Sequence, residues 1–245
     1  MNNKNLLVAL EAGTIRVAKP GLKGWDVDIK IKQGILDLFK NSKVVDMPGG
    51  FCDKEPFIPR SFNGNSGVRI VPGGTAVRPG SFIGKNVVIM PPSYINIGAY
   101  IDDNTMIDSH VLVGSCAQIG KTVHISAGVQ IGGVLEPIGN RPVIIEDNAF
   151  VGAGAILVEG IVVGKNSVIA PGVVLSASIP IYDTVNKKII KGIIPENAVV
   201  VQGSRKLNKS SWVLEQELSL CCAIIIKYRD EKTDASLELE NLLRS

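Results

Sequence analysis

Two stretches of this 245-residue chain gather side chains with the chemistry to move a proton or hold an anion. There are two histidines, His110 in IDSHVL and His124 in IGKTVH. Either imidazole could act as general base toward an attacking hydroxyl or amine, although a surface or corner histidine is the commoner fate. Asp108 stands two residues before His110, with Asp102 and Asp103 one hexad earlier. Turn aspartates usually cap backbone N–H groups, so the bare pattern does not single out Asp108. A basic run covers 182–210: Lys187, Lys188, Lys191, Arg205, Lys206 and Lys209 against Asp183 and Glu196. It reads equally as a solvated surface or as a local site for a phosphorylated ligand. Cys52, Cys116, Cys221 and Cys222 lack zinc-ligand spacing, and vicinal cysteines rarely bridge, so neither a metal site nor a disulfide is expected. No Ser-His-Asp spacing, phosphate loop or dinucleotide fingerprint appears.

What must position these groups is a repeat. From Val77 to Ile131 every sixth residue is aliphatic, and after one slip the beat resumes at Ile145 and runs to Ile181. That period is neither helical nor a plain strand alternation; it is the hexapeptide signature of a parallel β-helix. Two positions before each aliphatic residue stands a small or β-branched one (Ser81, Val87, Ser93, Ala99, Thr105, Val111, Ala117, Val123), so both should face inward. Gly, Asp, Asn and Lys fill the remaining positions and suit corners. Three hexads make one triangular coil, giving between five and six coils. Between Ile131 and Ile145 the spacing is fourteen rather than twelve, and GGVLEPIGNRPVI is expected as a loop thrown off one corner.

The period is missing from 1–68, which reads as an N-terminal cap containing a helix over DIKIKQGILDLFK. The solenoid is assigned to 69–182. In 183–245, KKIIKGIIPENAVVVQG reads as two further strands, ELSLCCAIIIKYRD as a buried strand and ASLELENLLR as a terminal helix, together capping the solenoid's open strand edge. Charge is nearly balanced, 26 Lys+Arg against 23 Asp+Glu, which argues against nucleic acid as a partner. No apolar run approaches the length that spans a bilayer, so no membrane partner is expected. The N-terminus lacks a secretory signal, and a reducing cytoplasm is the expected compartment.

The stretch PPSYINIGAYIDDNTMIDSHVLVGSCAQIGKTVHISAGVQIGGVLEP, residues 91–137, is more specific than a hexapeptide comb. With RPVIIEDNAFVGAGAILVEG, IYD, VVVQG, LSLCCAIIIKY and the upstream TIRVAKP and GVRIVPGGTAVRPGSFIGKNVVIMP, it resembles the tetrahydrodipicolinate N-succinyltransferases of lysine and diaminopimelate biosynthesis over most of the chain. The resemblance implies a mainly β protein, a left-handed parallel β-helix with a small N-terminal α/β cap and a C-terminal strand and helix extension, assembled as a homotrimer with sites between subunits. It implies acyl transfer from succinyl-CoA to the amine of a hydrated, ring-opened small-molecule substrate, with no tightly bound cofactor.

On the same resemblance, Asp108 falls on an essential aspartate that touches the substrate amine, and Arg69 on an arginine that binds a substrate carboxylate. Glu159 has a family counterpart near the substrate. The CoA arm is expected along small residues, with Gly152, Ala153 and Ala170 beside it and Arg205 and Lys206 toward its phosphates. The chain departs from the family pattern at three places: Ile156 stands at a glutamate position, Gly154 at an arginine position and His110 at a tryptophan position. Related N-acetyltransferases also carry an apolar residue at the glutamate position. The residues therefore leave acetyl-CoA open as an alternative donor, and a catalytically impaired trimeric scaffold as a third reading.

Overall fold

The computed structural model describes residues 3–22 and 24–230. From Val77 to Leu175 each aliphatic tooth of the comb is the second residue of a two-residue strand, and Val77, Ile89, Ile95, Ile107, Ile119, Ile131, Val151, Leu157 and Ile169 are all buried in one continuous core; Ile181, the last tooth, opens a three-residue strand and is buried in the same core. The residues two positions earlier are buried as well, Ser81, Ser93 and Thr105 among them. Their hydroxyls are satisfied by carbonyls of the wall; Thr105 Oγ1 donates to Gly120 O at 2.8 Å.

Three parallel sheets form the walls. Face one starts at Arg69–Ile70 and continues through Val88–Ile89, Met106–Ile107, His124–Ile125, Phe150–Val151 and Val168–Ile169. Face two runs Ala76–Val77, Tyr94–Ile95, Leu112–Val113, Gln130–Ile131, Ile156–Leu157, Val174–Leu175. Face three runs Phe82–Ile83, Tyr100–Ile101, Gln118–Ile119, Ile144–Ile145, Val162–Val163, Ile193–Ile194. The regular register is eighteen residues, as in Tyr100↔Gln118. Across the irregular coil Gln118 pairs with Ile144, so the insertion is eight residues in a single hexad, not two residues spread over two hexads. It leaves from the corner between faces two and three, the simplest way to keep the strands on either side in register.

The corner between faces three and one carries a charge pattern the hexad count alone does not reveal. Its middle residues in successive coils are Lys85, Asp103, Lys121, Asp147, Lys165 and Glu196, with strict sign alternation. Neighbouring strands stand about 4.8 Å apart, so a like-charged column would repel along its length. The acids also bind backbone: Asp103 Oδ1 accepts from Lys85 N at 2.8 Å, and Asp147 Oδ1 from Lys121 N at 2.9 Å. The residue before each of those lysines is glycine because the carboxylate occupies the space. A Cβ on Gly120 would stand 2.4 Å from Asp147 Oδ1.

The N-terminal region folds as expected over α2 (Ile29–Asn41), capped by Asp28, whose carboxylate accepts from Lys30 N and Ile31 N. A second helix, α1 (Asn3–Glu11), lay unread in the sequence. Its Leu6, Leu7 and Leu10 pack with Ile31, Ile35 and Leu38 against Ile97 and Cys116 of the solenoid. The hairpin Ala18–Gly21 with Gly24–Val27 covers face three, Ala18 packing on Ile144 and Val162. Arg16 pins it, with Nε 3.0 Å from Gln118 Oε1 and the guanidinium over the Tyr100 ring at 3.6 Å.

At the other end the strands Lys188–Ile190, Ile193–Ile194 and Ala198–Lys206 form, the last pairing with Ser219–Tyr228 as a long antiparallel hairpin. The strand expected to be buried is only half so. Cys222, Ala223 and Ile225 face the core, while Leu218, Leu220 and Ile226 are exposed, because this hairpin outruns the end of the solenoid. The terminal helix expected over 235–244 lies outside the described residues. Asp183 organises the cap: buried, it accepts from Asn186 N, Asn186 Nδ2 and Tyr228 Oη at 3.0, 2.8 and 2.8 Å. Burial alone would raise its carboxyl, but these donors and the nearby Lys188 ammonium outweigh burial and hold it below its ordinary value.

Two outcomes follow. Gly120→Ala should lower the unfolding free energy by about 1–3 kcal/mol, read from the denaturant midpoint, whereas an unchanged midpoint would mean that Asp147 swings aside without cost. Because its folded value is depressed, the Asp183 contribution is complete above the unfolded carboxylate range and disappears as pH falls below about 4. Asp183→Asn should therefore melt below wild type at neutral pH, with the gap closing in acid. A gap that is the same at both pH values would contradict this role.

Candidate active site

Asp108 opens the corner between faces one and two, and every backbone hydrogen bond around it is committed. Asp108 N donates to Ile125 O in the next coil at 2.9 Å, and its carbonyl accepts from Ser93 Oγ in the coil before at 2.9 Å. His110 N donates to Pro92 O at 2.7 Å, and Ser109 O accepts from Gly128 N at 2.8 Å. His110 takes the left-handed conformation, φ 62°, that closes the turn. The half-buried Asp108 carboxylate uses Oδ1 to accept from Ser109 N at 2.7 Å. Oδ2 has no protein partner among the described residues, so a fixed carboxylate is presented with one oxygen available for an incoming N–H. His110 is exposed beside it, above a shallow cavity of about 290 Å³ shared with Tyr94 and Ala76. His124 is differently placed, buried on face one and stacked on Phe150 at 4.8 Å.

The same corner continues through Ser126-Ala127-Gly128, Gly152-Ala153-Gly154 and Ala170-Pro171-Gly172, tied coil to coil by Gly154 N→Ala127 O and Gly172 N→Ala153 O, both 2.9 Å. No side chain there is larger than proline. Gly152 is obligatory for packing, since a Cβ would stand 2.5 Å from Pro171 N, whereas Gly154 faces open space at φ 69°. Three coil steps separate the Asp108 rung from the Ala170 rung, about 14 Å of flat track. Beyond Ala170 the strand Ala198–Lys206 takes over; Gln202 Oε1 accepts from Val174 N at 2.8 Å as the hairpin crosses toward face two. Arg205 is half-buried there, its Nε shielded from solvent and without a hydrogen-bond partner among the described residues, and Lys206 is exposed. Asp108, Gly152, Ala153 and Ala170 therefore share one column, with Arg205 and Lys206 past its end.

Arg69 and Glu159 stand apart from that column. Arg69 is exposed on face one, two strands before Met106, and with Arg60, Phe62 and Thr75 lines a cavity of about 550 Å³ at the solenoid's start. Glu159 is on the corner between faces two and three, where Oε2 accepts from Ser178 Oγ at 3.2 Å. The inserted loop leaves that same corner and is held from two sides. Arg141 donates to Gly160 O (3.0 Å) and Gly192 O (3.1 Å), and the buried Lys32 of α2 donates Nζ to Asn140 O at 2.5 Å. Nothing in the sequence marked Lys32 or Arg141 as positioning groups, because their partners are backbone carbonyls. Burial pushes the nearby Cys116 thiol up to about 12, which leaves it no thiolate for covalent chemistry. Ile156 is exposed on face two. Among the described residues no group of His, Cys, Asp and Glu could hold a metal ion. Also among them, no helix is long and apolar enough to cross a membrane.

A sequence family described as hexapeptide repeat of succinyl-transferase matches residues 142–177. The 2,3,4,5-tetrahydropyridine-2,6-dicarboxylate N-succinyltransferase of Cupriavidus taiwanensis is 48% identical, the match covering 98% of this chain and 87% of that protein. Those of Herminiimonas arsenicoxydans and Legionella pneumophila are each 46% identical with the same coverage. A solved structure of a putative 2,3,4,5-tetrahydropyridine-2-carboxylate N-succinyltransferase from Campylobacter jejuni superposes with TM-score 0.58 at 15% identity, covering 91% of this chain and 62% of that one. It shares the fold, a left-handed parallel β-helix. With nearly half its residues identical to these relatives along almost its whole length, the chain belongs to the tetrahydropyridine-2,6-dicarboxylate N-succinyltransferase family.

Proposed function

We propose that the protein transfers a succinyl group from succinyl-CoA to an amine derived from 2,3,4,5-tetrahydropyridine-2,6-dicarboxylate, in lysine and diaminopimelate biosynthesis. The observation that carries this is the fixed Asp108 carboxylate at one end of a side-chain-poor corner, within the sequence context that the chain shares with its relatives. The ring nitrogen of the substrate is an imine without an N–H. Water adds across C=N and opens the ring to a primary amine and a ketone. The amine lone pair attacks the thioester carbonyl, the C–N bond forms as C–S breaks, and the displaced sulfur leaves with a proton as CoA thiol. Asp108 accepts the proton that the amine loses, through Oδ2, while Ser109 N holds Oδ1, and that same proton then passes to the departing sulfur, so the carboxylate is regenerated.

Most of the acceleration comes from holding amine and thioester together. The pantetheine arm lies along Ser126, Gly152–Ala153 and Ala170, where any larger side chain would lift it off the wall. Arg205 and Lys206 stand where its phosphates would arrive. Arg69, on face one two coils before Asp108, takes a substrate carboxylate with a guanidinium fork. Since Arg69 and Glu159 do not converge on Asp108 within one chain, the reading includes a homotrimer in which neighbouring subunits complete each site, working in the cytoplasm.

A thiol-release assay with succinyl-CoA and the tetrahydropyridine dicarboxylate tests the reaction; release that does not depend on the amine substrate would overturn it. Asp108→Asn should lower kcat/KM by at least about tenfold with the melting temperature preserved, and wild-type kinetics would remove Asp108 from the chemistry. Ala153→Leu should raise KM for succinyl-CoA and leave KM for the amine substrate unchanged. An unchanged KM for the donor would place the CoA arm elsewhere.

A further inference from the structure

A second cavity lies between the N-terminal hairpin and the corner that carries the ladder of lysine and acid. Its volume is about 420 Å³, within the roughly 300–1,000 Å³ usual for small-molecule sites. Arg16 and Trp25 line it from the N-terminal side, and Asp102, Glu146 and Asp147 from the solenoid. Arg16 braces the hairpin through Nε alone; its two terminal nitrogens make no hydrogen bond or ion pair among the described residues. The guanidinium lies 5.5 Å from the centre of the Trp25 ring. Trp25 Nε1 in turn donates to Glu146 Oε1 at 2.8 Å, and Oε2 has no protein partner among the described residues. Trp25 thus links an uncommitted guanidinium fork to an uncommitted carboxylate oxygen in the wall of one cavity. Asp102 and Asp147 each spend Oδ1 on a backbone N–H, of Asp103 at 2.9 Å and of Lys121 at 2.9 Å. Burial lowers the Arg16 guanidinium from its ordinary value, and the pull of Tyr100, Asp102 and Asp147 does not restore it. A partly buried cation without a paired anion is costly, and a carboxylate from outside would relieve that cost.

We propose that this cavity binds an α-amino acid with a cationic side chain. Its carboxylate pairs with the terminal N–H groups of Arg16 in a fork. Its α-ammonium sits beside that carboxylate and is held by Asp102 and Asp147, the two acids whose field reaches Arg16. The alkyl chain runs past the Trp25 ring, and the side-chain ammonium meets Glu146 Oε2. Charge selects this class of ligand. Asp102, Glu146, Asp147 and Glu196 face Arg16, Lys121 and Lys165 across the cavity, an excess of one acid. A diamino monocarboxylate carries one net positive charge and balances it, whereas a phosphate or a dicarboxylate would add to the excess. The site is on a different corner from Asp108 and does not depend on the reaction proposed there. A ligand held by both the hairpin and the solenoid binds only the folded chain, so it raises the melting temperature.

The test is titration calorimetry of the full chain with L-lysine, with norleucine, which lacks the side-chain ammonium, and with cadaverine, which lacks the carboxylate. Melting temperatures are read with and without L-lysine. Wild type should bind L-lysine at least about tenfold more tightly than either analogue and melt higher in its presence. Arg16→Lys keeps the charge and loses the fork, and should bring L-lysine close to the affinity of cadaverine. Glu146→Gln keeps an acceptor for Trp25 and loses the charge. It should weaken L-lysine at least about threefold and leave norleucine unchanged, and it carries the test if the Arg16 variant melts early. Asp108→Asn should bind L-lysine as wild type does. Three results would overturn the proposal: wild type gives neither heat nor a melting shift with L-lysine, all three ligands bind equally, or Glu146→Gln binds L-lysine unchanged. Loss of L-lysine binding in Asp108→Asn would overturn it too, by placing the ligand at the acyl-transfer corner.

Discussion

The structure depends on one constraint, the eighteen-residue register in which each coil donates its backbone N–H groups to carbonyls of the next. Two-residue strands are too short to be stable alone, and their stability comes from stacking. The register also turns a sequence interval into a spatial column. Residues far apart in the chain, such as Asp108, Ala153 and Ala170, share one corner because whole coils separate them. The eight-residue insertion preserves this, since it leaves at a corner and returns to the same column, with Lys32 and Arg141 fixing its backbone.

The three corners have diverged under this common constraint. One is a flat lane of Gly, Ala, Ser and Pro with a fixed carboxylate at its head. The second throws out the loop and carries Glu159. The third is an alternating ladder of lysine and acid, and Asp102 and Glu146 beside it leave the corner with more acids than lysines, which disfavours an anionic donor. Face three is covered by the N-terminal hairpin. The first corner, with Arg205 and Lys206 beyond its far end, is therefore the one we propose for an acyl donor with a long polar arm and terminal phosphates.

Much of the fold was legible because the period is a direct image of the register: inward teeth, small second positions, corners and the place of the loop could all be read. What escaped had aperiodic or backbone-borne causes. The helix at Asn3–Glu11 has only three buried leucines in a short stretch, and its stability comes from packing on α2 and the solenoid. The exposed alternation of Ser219–Tyr228 was hidden because a run of apolar residues reads as buried unless one knows that the strand projects beyond the core. At the site, Asp108 was reached through resemblance rather than spacing.

The central claim is that acyl transfer occurs at the corner running from Asp108 to Ala170. The most direct measurement is a crystal structure of the assembled protein with CoA and 2-aminoheptanedioate bound. The account predicts the pantetheine arm along Ser126, Gly152–Ala153 and Ala170, the phosphates near Arg205, and the amine within hydrogen-bond distance of Asp108. A CoA molecule bound along the Lys85–Glu196 ladder, or an amine far from Asp108, would contradict it.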